Sequence, residues 1–580
     1  MLRTRLSLWR KPVWFCLAGP AILLLLLLGV LPDPVIAASS LEPDLRSHTW
    51  STVQRLALEA GFFPPLYQPV SEQELAEMLV EIRAVVEGDD SLALADAGEQ
   101  ASLLDLETRY GSSNRFDCSG YRASGRLILG FFELGDPVVG EAGLAFAPGW
   151  NAALESSLAW TGSRAWAAVT PRWRGRLLAA GVDFGGDPDS TDPLTWPGWR
   201  IPTGKAQVRS ARLGDGNWEL DLPRAMAGIQ LGNWALNAGY APRKTGVGVN
   251  GALAMDSGGK SFPAGTLRRT RPFTWSGPIR RLAPHDLLFR VGVLTEREVN
   301  YSTDWGPRSR EARPCFFQWL LGWEVTPWLR FSMEHTAMAA AEDESLWLDL
   351  PQINFPLLGT TWSEYYSGPV TDRIFNVQLE TRWRKAPWRV LPRPAGRLYW
   401  QYGGTDLNRK GPFRMIPELS IQALVAGFEL VSPRWDLGLE YCELEDHSVL
   451  WYSNGGFPEG YSQDGWLLGH SLGGSGERTA GQVRYRPSGR AVETGLRLSC
   501  STWGLKGRTP GTGRQESVIL SCRRLADAAP SGDRHVRWRW EVSLEWLNEE
   551  ADPKAFTEHI AAETTEERTW WRLTCKLPLN

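Results

Sequence analysis

Apolar and polar residues alternate with a period of two along most of the chain, from about residue 120 onward. The alternation is clearest in FNVQLETRW (375–383), RLYWQY (397–402), VRWRWEVSLEW (536–546) and WWRLTCKLPL (570–579). Successive side chains of a β-strand point to opposite faces, so each of these segments has one apolar and one polar face. The pattern predicts an all-β fold for this part of the chain.

Two all-β architectures fit this alternation, a soluble sandwich and a transmembrane barrel. The clean segments have about 9–11 residues, the length that a tilted strand needs to cross a bilayer. The 580 residues include 30 Trp, and Trp and Tyr cluster near the segment ends, as in the aromatic girdles of outer-membrane barrels. Strands that cross hydrocarbon must close into a barrel, because every backbone polar group has to be paired there. We therefore predict a large transmembrane antiparallel β-barrel.

The region after residue 112 is long enough for about 16–18 strands with their connections. Four connections rich in Pro, Gly and Asp are unusually long: residues 185–204, 256–272, 339–370 and 451–466. Loops of this length are typically extracellular or fill the lumen, and they carry function. We assign residues 113–580 to the barrel and its loops.

The first residues have the features of an export signal. Arg3, Arg5, Arg10 and Lys11 precede the apolar run AILLLLLLGVL (21–31), and VIAAS (35–39) offers small residues for cleavage. The apolar run is short for a transmembrane helix, so we favour a cleaved signal peptide over residues 1–38 rather than a retained anchor.

Residues 39–112 have helical periodicity. In VSEQELAEMLVEI (70–82), Ser71 and Glu74 have the spacing of a capping box, and apolar residues then recur every three or four positions. Residues 44–61 and 99–111 have similar patterns. We predict a small helical bundle over these residues.

Charge and cysteine content limit the function further. The net charge of −4 argues against a general nucleic-acid-binding protein. The exported part has six widely spaced cysteines without metal-ligand spacing, which indicates isolated strand cysteines or one cross-strand disulfide. We expect no metal and no cofactor.

The pentad Gly469-His470-Ser471-Leu472-Gly473 matches the G-x-S-x-G nucleophile elbow of α/β-hydrolases. An elbow needs a following helix, whereas more glycines and then strand-like alternation follow here. We interpret the pentad as a strand end with a Gly-rich turn and expect no catalytic residue. Glu440 and Glu443 have odd spacing, so they point to opposite faces of a strand and cannot form a glycosidase pair.

Several segments together resemble the Wzi-type capsule assembly family of outer-membrane proteins, over nearly the whole exported chain. The resemblance rests on the order and spacing of residues 45–79, 241–273, 322–335, 371–384 and 437–474. It implies an eighteen-stranded barrel with a periplasmic helical bundle, and a lectin-like, non-enzymatic role in holding capsular polysaccharide at the cell surface. Many outer-membrane barrels end in an aromatic residue, whereas this chain ends Leu579-Asn580, which leaves the register of the last strand to be determined.

Aromatic rings stack on the apolar faces of sugar rings, and polar neighbours bond the hydroxyl groups. We therefore predict polysaccharide-binding residues in the long loops and beside them: Trp362, Tyr365, Tyr366, Arg373, Trp451, Tyr452, Tyr461, Asp464 and Trp466. The alternative for each ring is packing in the membrane girdle or in a loop that plugs the lumen.

The expected partners are capsular or other surface polysaccharide, outer-membrane lipid and the barrel assembly machinery, with no nucleic acid. Two other functions stay open: a passive outer-membrane porin, and an esterase in the barrel wall that uses Ser471.

Overall fold

The computed structural model describes the barrel wall, the segments inside it and a small part of the N-terminal region. Described are residues 55–59, 62–63, 67–68, 120–132, 149–161, 165–178, 218–340, 370–383, 395–404, 422–444, 451–473, 476–487, 492–503, 513–524, 541–551 and 566–579, with short gaps inside 218–340, 422–444 and 451–473. The proposed signal peptide lies outside this part of the chain.

Eighteen of the described strands form one closed antiparallel barrel, in which each strand pairs with the next along the chain and the last pairs with the first. They are β2 (Gly120–Phe132), β3 (Gly149–Thr161), β4 (Ala165–Leu178), β5 (Trp218–Leu231), β6 (Trp234–Tyr240), β8 (Pro263–Arg269), β9 (Asp286–Val293), β12 (Cys315–Thr326), β13 (Leu329–Ala340), β14 (Val370–Trp383), β15 (Ala395–Gly404), β16 (Gln422–Val431), β17 (Trp435–Glu443), β20 (Gly476–Tyr485), β21 (Val492–Trp503), β22 (Gly513–Arg524), β23 (Glu541–Ala551) and β24 (Glu566–Leu579).

Three further strand pairs lie outside the wall: β1 (Tyr67–Gln68) with β7 (Lys244–Thr245), β10 (Arg297–Thr303) with β11 (Gly306–Ala312), and β18 (Ser462–Gln463) with β19 (Trp466–Leu467). The predicted barrel is confirmed, and β24 closes it by pairing Leu579 with Gly125. Residues 263–269, which we predicted to be part of a loop, instead form β8, because alternating inward Thr266 and Arg268 fit a polar lumen.

The alternation of side chains gives the wall a polar inner face and an apolar outer face. Leu398 is 52% exposed on the outside, whereas its neighbour Arg397 is 1% exposed. Leu439 and Glu440 repeat this contrast on β17. An apolar exterior around a charged interior is what a barrel in lipid requires. Within the described residues, no helix is both long and apolar enough to cross a membrane.

Ion pairs cross the inner face between neighbouring strands. The Glu380 carboxylate accepts hydrogen bonds from Arg330 Nε at 3.0 Å and from Arg397 Nη1 at 2.9 Å, and Arg397 Nε also donates to Glu429 at 2.5 Å. All four side chains are buried or nearly so. Buried charges are tolerated when they are paired and hydrogen-bonded, as here.

The two rims of the barrel differ in their connections. At one rim, which we call the short-turn rim, four of the connections have only two or three residues: 162–164, 232–233, 327–328 and 432–434. Gly232 supplies a φ of 59° for the tight turn between β5 and β6. At the opposite, long-loop rim the connections are longer, including 179–217, 294–314, 341–369 and 444–475. Short turns face the periplasm and long loops the cell exterior in outer-membrane barrels.

The described N-terminal segment docks on the short-turn rim. Residues 55–59 are helical, and Leu58 packs against Ala395 and Val431 where their strands meet this rim. The guanidinium groups of Arg330 and Arg382 lie over the Phe63 ring, 4.8 and 4.0 Å from its centroid. Tyr67–Gln68 form strand β1, and most other residues of the predicted helical bundle lie outside the described residues, so the bundle stays a prediction.

We expect Phe63→Ala to loosen this segment, by about 3 kcal/mol of docking free energy, because burial and two cation–π contacts are lost. Limited proteolysis and hydrogen exchange at residues 55–63 measure the effect. Trp328→Ala, an exposed aromatic on the same rim, is the control. Equal protection in both variants would contradict the docking.

Candidate functional site

Two loops from the long-loop rim fold back into the lumen. We call them the plug; they comprise residues 243–262, between β6 and β8, and residues 451–473, between β17 and β20. Their apolar side chains share one buried cluster with inward residues of the wall, including Phe316, Met338, Ile374 and Val425. Leu56 and Ala57 of the N-terminal helix join the same cluster. The lumen is therefore plugged along the part of the wall from β8 to β17.

Two tyrosines join the plug loops. The Tyr452 hydroxyl donates to the carbonyl of Leu253 at 2.7 Å and accepts from the backbone N–H of His470 at 2.9 Å. The Tyr461 hydroxyl donates to the carbonyl of Ala254 at 2.8 Å and shares a 2.9 Å hydrogen bond with the hydroxyl of Thr336 on β13. The two rings stack, with centroids 5.8 Å apart.

A wall carboxylate holds the first plug loop. Glu440 Oε2 accepts from the backbone N–H of Val249 at 2.6 Å, and Oε1 accepts from that of Asn250 at 3.0 Å. The Tyr399 hydroxyl also donates to Glu440 at 2.8 Å. The carboxylate thus satisfies backbone donors of a Gly-rich turn that would otherwise be buried without partners.

A second wall carboxylate, on β13, also bonds to the first plug loop. Glu334 accepts from the Thr245 hydroxyl, and from Gln318 Nε2 at 2.6 Å. Gln318 Nε2 lies 2.9 Å from the Thr245 hydroxyl, and Arg290 donates to the Gln318 carbonyl oxygen and contacts the Met255 sulfur at 3.0 Å. The wall polar groups are therefore placed to receive the plug.

The β10–β11 hairpin lies over the plug. Val299 and Tyr301 on its inner face belong to the buried cluster, and the backbone N–H of Asn300 donates to the carbonyl of Gly456 at 2.8 Å. The opposite face is exposed and charged, with Glu298, Ser309 and Glu311 on it. The hairpin is thus part of the surface at the long-loop rim.

The G-x-S-x-G pentad forms a turn of the plug. The backbone N–H of Gly473 donates to the carbonyl of His470 at 3.1 Å, Gly473 has a φ of 88°, and β20 begins at Gly476. The turn that we predicted is confirmed for the described residues, whereas Ser471 lies outside them. Gly251 allows the His470 ring to pack on its backbone, since an added Cβ would lie 2.2 Å from His470 Cδ2.

Burial shifts the titration of the plug. Desolvation, together with the positive charges at Arg478, Lys244 and Arg497, lowers the pKa of His470 to about 3. The ring is therefore neutral near pH 7, and its Nδ1 accepts from the backbone N–H of Leu472 at 3.1 Å. Burial also raises the pKa of Tyr452 and of Tyr461 well above the usual value for a phenol.

The structure brings three of the predicted sugar-binding residues together inside the plug. Trp451, Tyr452 and Tyr461 are each at most 1% exposed, so none of the rings has an open face in this conformation. Each ring therefore packs in a loop that plugs the lumen, which was the alternative to sugar binding. Their contact with polysaccharide stays a prediction, which would require the plug to open.

The other predicted residues are not assembled with these rings. Trp466 pairs with Gln463 in the β18–β19 hairpin. Arg373 lies near the long-loop end of β14 on the outer face, because its neighbours Asp372 and Ile374 point inward. Asp464, Trp362, Tyr365 and Tyr366 lie outside the described residues.

Sequence reasoning did not identify the wall residues that hold the plug, notably Glu334, Gln318 and Glu440. Their signal is a polar side chain flanked by outward apolar residues in a strand, but every inward position of such a barrel has that signal. Glu440 and Glu443 do point to opposite faces, as predicted. Among the described residues, no group of His, Cys, Asp and Glu side chains is arranged to hold a metal ion.

A closed eighteen-stranded barrel with an apolar exterior and two loops in its lumen defines a plugged transmembrane β-barrel. The family model of the capsule assembly protein Wzi matches residues 141–521. The chain belongs to this family.

Among solved structures, one agrees in fold, and two others are less similar. Wzi of Escherichia coli, described as an outer-membrane protein involved in group 1 capsule assembly and as a carbohydrate-binding β-barrel, has 13% identity and a TM-score of 0.58, over 94% of this chain and 99% of that chain. OccAB2 of Acinetobacter baumannii has 9% identity and a TM-score of 0.42, over 80% and 98%. OprD of Pseudomonas aeruginosa has 9% identity and a TM-score of 0.39, over 79% and 95%. No curated protein sequence matches the chain.

Proposed function

We propose that this protein is an outer-membrane barrel that binds capsular or related surface polysaccharide at its long-loop rim and holds it at the cell surface. The family match carries the proposal, since the family is one of capsule assembly. The carbohydrate binding described for the Escherichia coli protein of the same fold supports it.

The plug supports a binding role over transport. A passive porin needs a water-filled lumen, whereas the two plug loops pack against the wall from β8 to β17. An esterase is also disfavoured, because the imidazole next to Ser471 is buried and hydrogen-bonded to backbone. We infer a lectin without catalytic residues.

The remaining parts of the proposal concern the surroundings of the barrel. The exposed apolar residues of the outer face would contact outer-membrane lipid. Export would use residues 1–38 as a cleaved signal, and insertion would use the barrel assembly machinery. Residues 39–112 would form a periplasmic bundle, of which residues 55–59 are the described helical part.

Substitutions of the loop aromatic residues test whether they form the polysaccharide-binding site. Trp466→Ala and the combined change Trp362→Ala, Tyr365→Ala, Tyr366→Ala should each raise the fraction of polysaccharide released from cells, because a stacking residue at the centre of an interface contributes about 1–2 kcal/mol, or roughly 5–30-fold in affinity. The measurement is cell-bound against released polysaccharide. Trp571→Ala, an outward aromatic of β24, should behave as wild type.

A deletion of the whole gene distinguishes a wrong function from a wrong choice of site residues. Unchanged retention after deletion of the whole gene would contradict the proposed function. Loss of retention on deletion, with wild-type retention in both loop variants, would leave the function and refute these residues as its site.

A further inference from the structure

The apolar contacts of the plug with the wall lie on one side of the lumen. In the described part of the chain, the buried cluster takes its wall residues from the strands between β8 and β17, and none from β2 to β5 or β20 to β24. Inward residues beside the plug are fully buried, for example Gln318, Glu334 and Gln401. A different environment is therefore expected along the opposite wall.

Inward residues in the middle of β21, β22 and β23 keep exposed surface. Arg497 lies between outward Leu496 and Leu498, which fixes its inward direction. It is half-buried, as are Ser499, Ser521, Ser543 and Glu545. The partial exposure of these side chains, three of them small hydroxyl groups, indicates a polar space beside this wall, which we call the chamber.

Buried side chains bound the chamber at both ends. Toward the short-turn rim, Arg486 donates to Asp436 at 2.6 Å and to Glu493 at 3.2 Å, and Arg523 pairs with Glu493 at 2.8 Å. Toward the long-loop rim, Ser501, Ser517 and Leu547 are buried.

The chamber contains a cation without a hydrogen-bonded counter-ion. Arg497 makes no hydrogen bond or ion pair within the described part of the chain. Its charged neighbours are Arg478, Glu440, Glu545 and Arg484. Arg484, one inward position away on the paired strand β20, has a single polar contact, from Nη2 to Gln482 Oε1 at 3.2 Å.

Arg497 and Arg484 thus lie close together without a bonded carboxylate in the described part of the chain, and the nearby Glu440 is already used. The Glu440 carboxylate accepts from the backbone of Val249 and Asn250 and from the Tyr399 hydroxyl. A charged group in a barrel interior needs a partner, and a guanidinium matches the geometry of an oxyanion. We propose that this chamber binds a small oxyanion, carboxylate or phosphate, between Arg497 and Arg484. The site is separate from the surface that we propose for polysaccharide.

Two sources supply such an anion, inorganic phosphate and the carboxylate of an acidic sugar. The test compares the folded protein in detergent with phosphate, glucuronate, glucose and chloride at equal ionic strength. Phosphate, glucuronate or both should raise the melting temperature by roughly 2 °C or more, whereas glucose and chloride should not. The ion that raises the melting temperature identifies the source of the anion.

Arg497→Gln should weaken binding of that ion about tenfold or more in isothermal titration, because a charge-assisted pair is removed. Without added oxyanion, the variant should melt no lower than wild type, since it lacks the uncompensated cation. Arg514→Gln, on the outer face of β22 and paired with Glu516, is the control and should bind as wild type.

Three results would overturn the site: no response of wild type to either oxyanion, an equal response of Arg497→Gln, or a lower melting temperature of that variant without oxyanion. The last result would mean that Arg497 already has a structural partner.

Discussion

A variant with both Tyr452→Ala and Tyr461→Ala is expected to conduct ions in planar bilayers, whereas the wild-type barrel passes little current. Each buried ring contributes about 3–5 kcal/mol through its burial. The two hydroxyl groups also bond the carbonyls of Leu253 and Ala254 in the other loop. Without these contacts the plug loses the connection between its two halves.

The wall should survive this change. Strand pairing continues around the whole barrel without the plug, and the least stable parts of a protein open first, independently of its more stable core. The variant should therefore keep its β circular dichroism and show discrete current steps.

The matched control replaces two tyrosines on the outer face, Tyr240→Ala with Tyr485→Ala. These side chains are 40% and 49% exposed, so the chemical change is the same but the plug is untouched. Current steps of equal size and frequency in the control and the plug variant would contradict the role of Tyr452 and Tyr461. Wild-type conductance like that of an open pore would contradict the plug itself.

Glu380→Ala is expected to destabilise the barrel by about 3–5 kcal/mol, the usual effect of breaking a buried ion pair from one side. Arg330 has no other carboxylate partner among the described residues, and Arg397 keeps only Glu429. Both guanidinium groups stay buried when the carboxylate is removed. Glu380→Gln, which keeps the shape and part of the hydrogen bonding, should fall between wild type and Glu380→Ala.

Urea unfolding followed by tryptophan fluorescence measures this free energy. The comparison variant is Glu296→Ala, which removes an exposed ion pair with Arg313, and exposed pairs contribute at most about 1 kcal/mol. If the two alanine variants unfolded at the same urea concentration, the buried ion-pair ladder would not stabilise the wall.

The sequence alone predicts the wall well, for a physical reason. Lipid and lumen require opposite polarities on the two faces of each strand. The polarity of a residue such as Leu398 or Arg397 therefore indicates the face on which it lies. β8 is the exception, because its Pro and Gly residues resemble those of a loop. Its inward Thr266 and Arg268 can be recognised as strand residues only once β8 is paired with β6 and β9.

The plug could not be derived in the same way. SNGGFPEGYSQDG, between Tyr452 and Trp466, is polar and Gly-rich and therefore resembles an exposed loop. A polar lumen buries such a loop, whereas an apolar core would reject it. The contacts that decide this, such as Val249 with Glu440, join residues far apart in the chain.

Binding of purified capsular polysaccharide to the purified barrel in detergent tests the account most directly. The polysaccharide comes from the cells that make the protein, and heat-dependent gel mobility verifies that the barrel is folded. The account predicts saturable binding by the wild-type protein, with its affinity lowered by the loop changes at Trp466 or at Trp362, Tyr365 and Tyr366. A folded barrel that bound no polysaccharide at any concentration would contradict it.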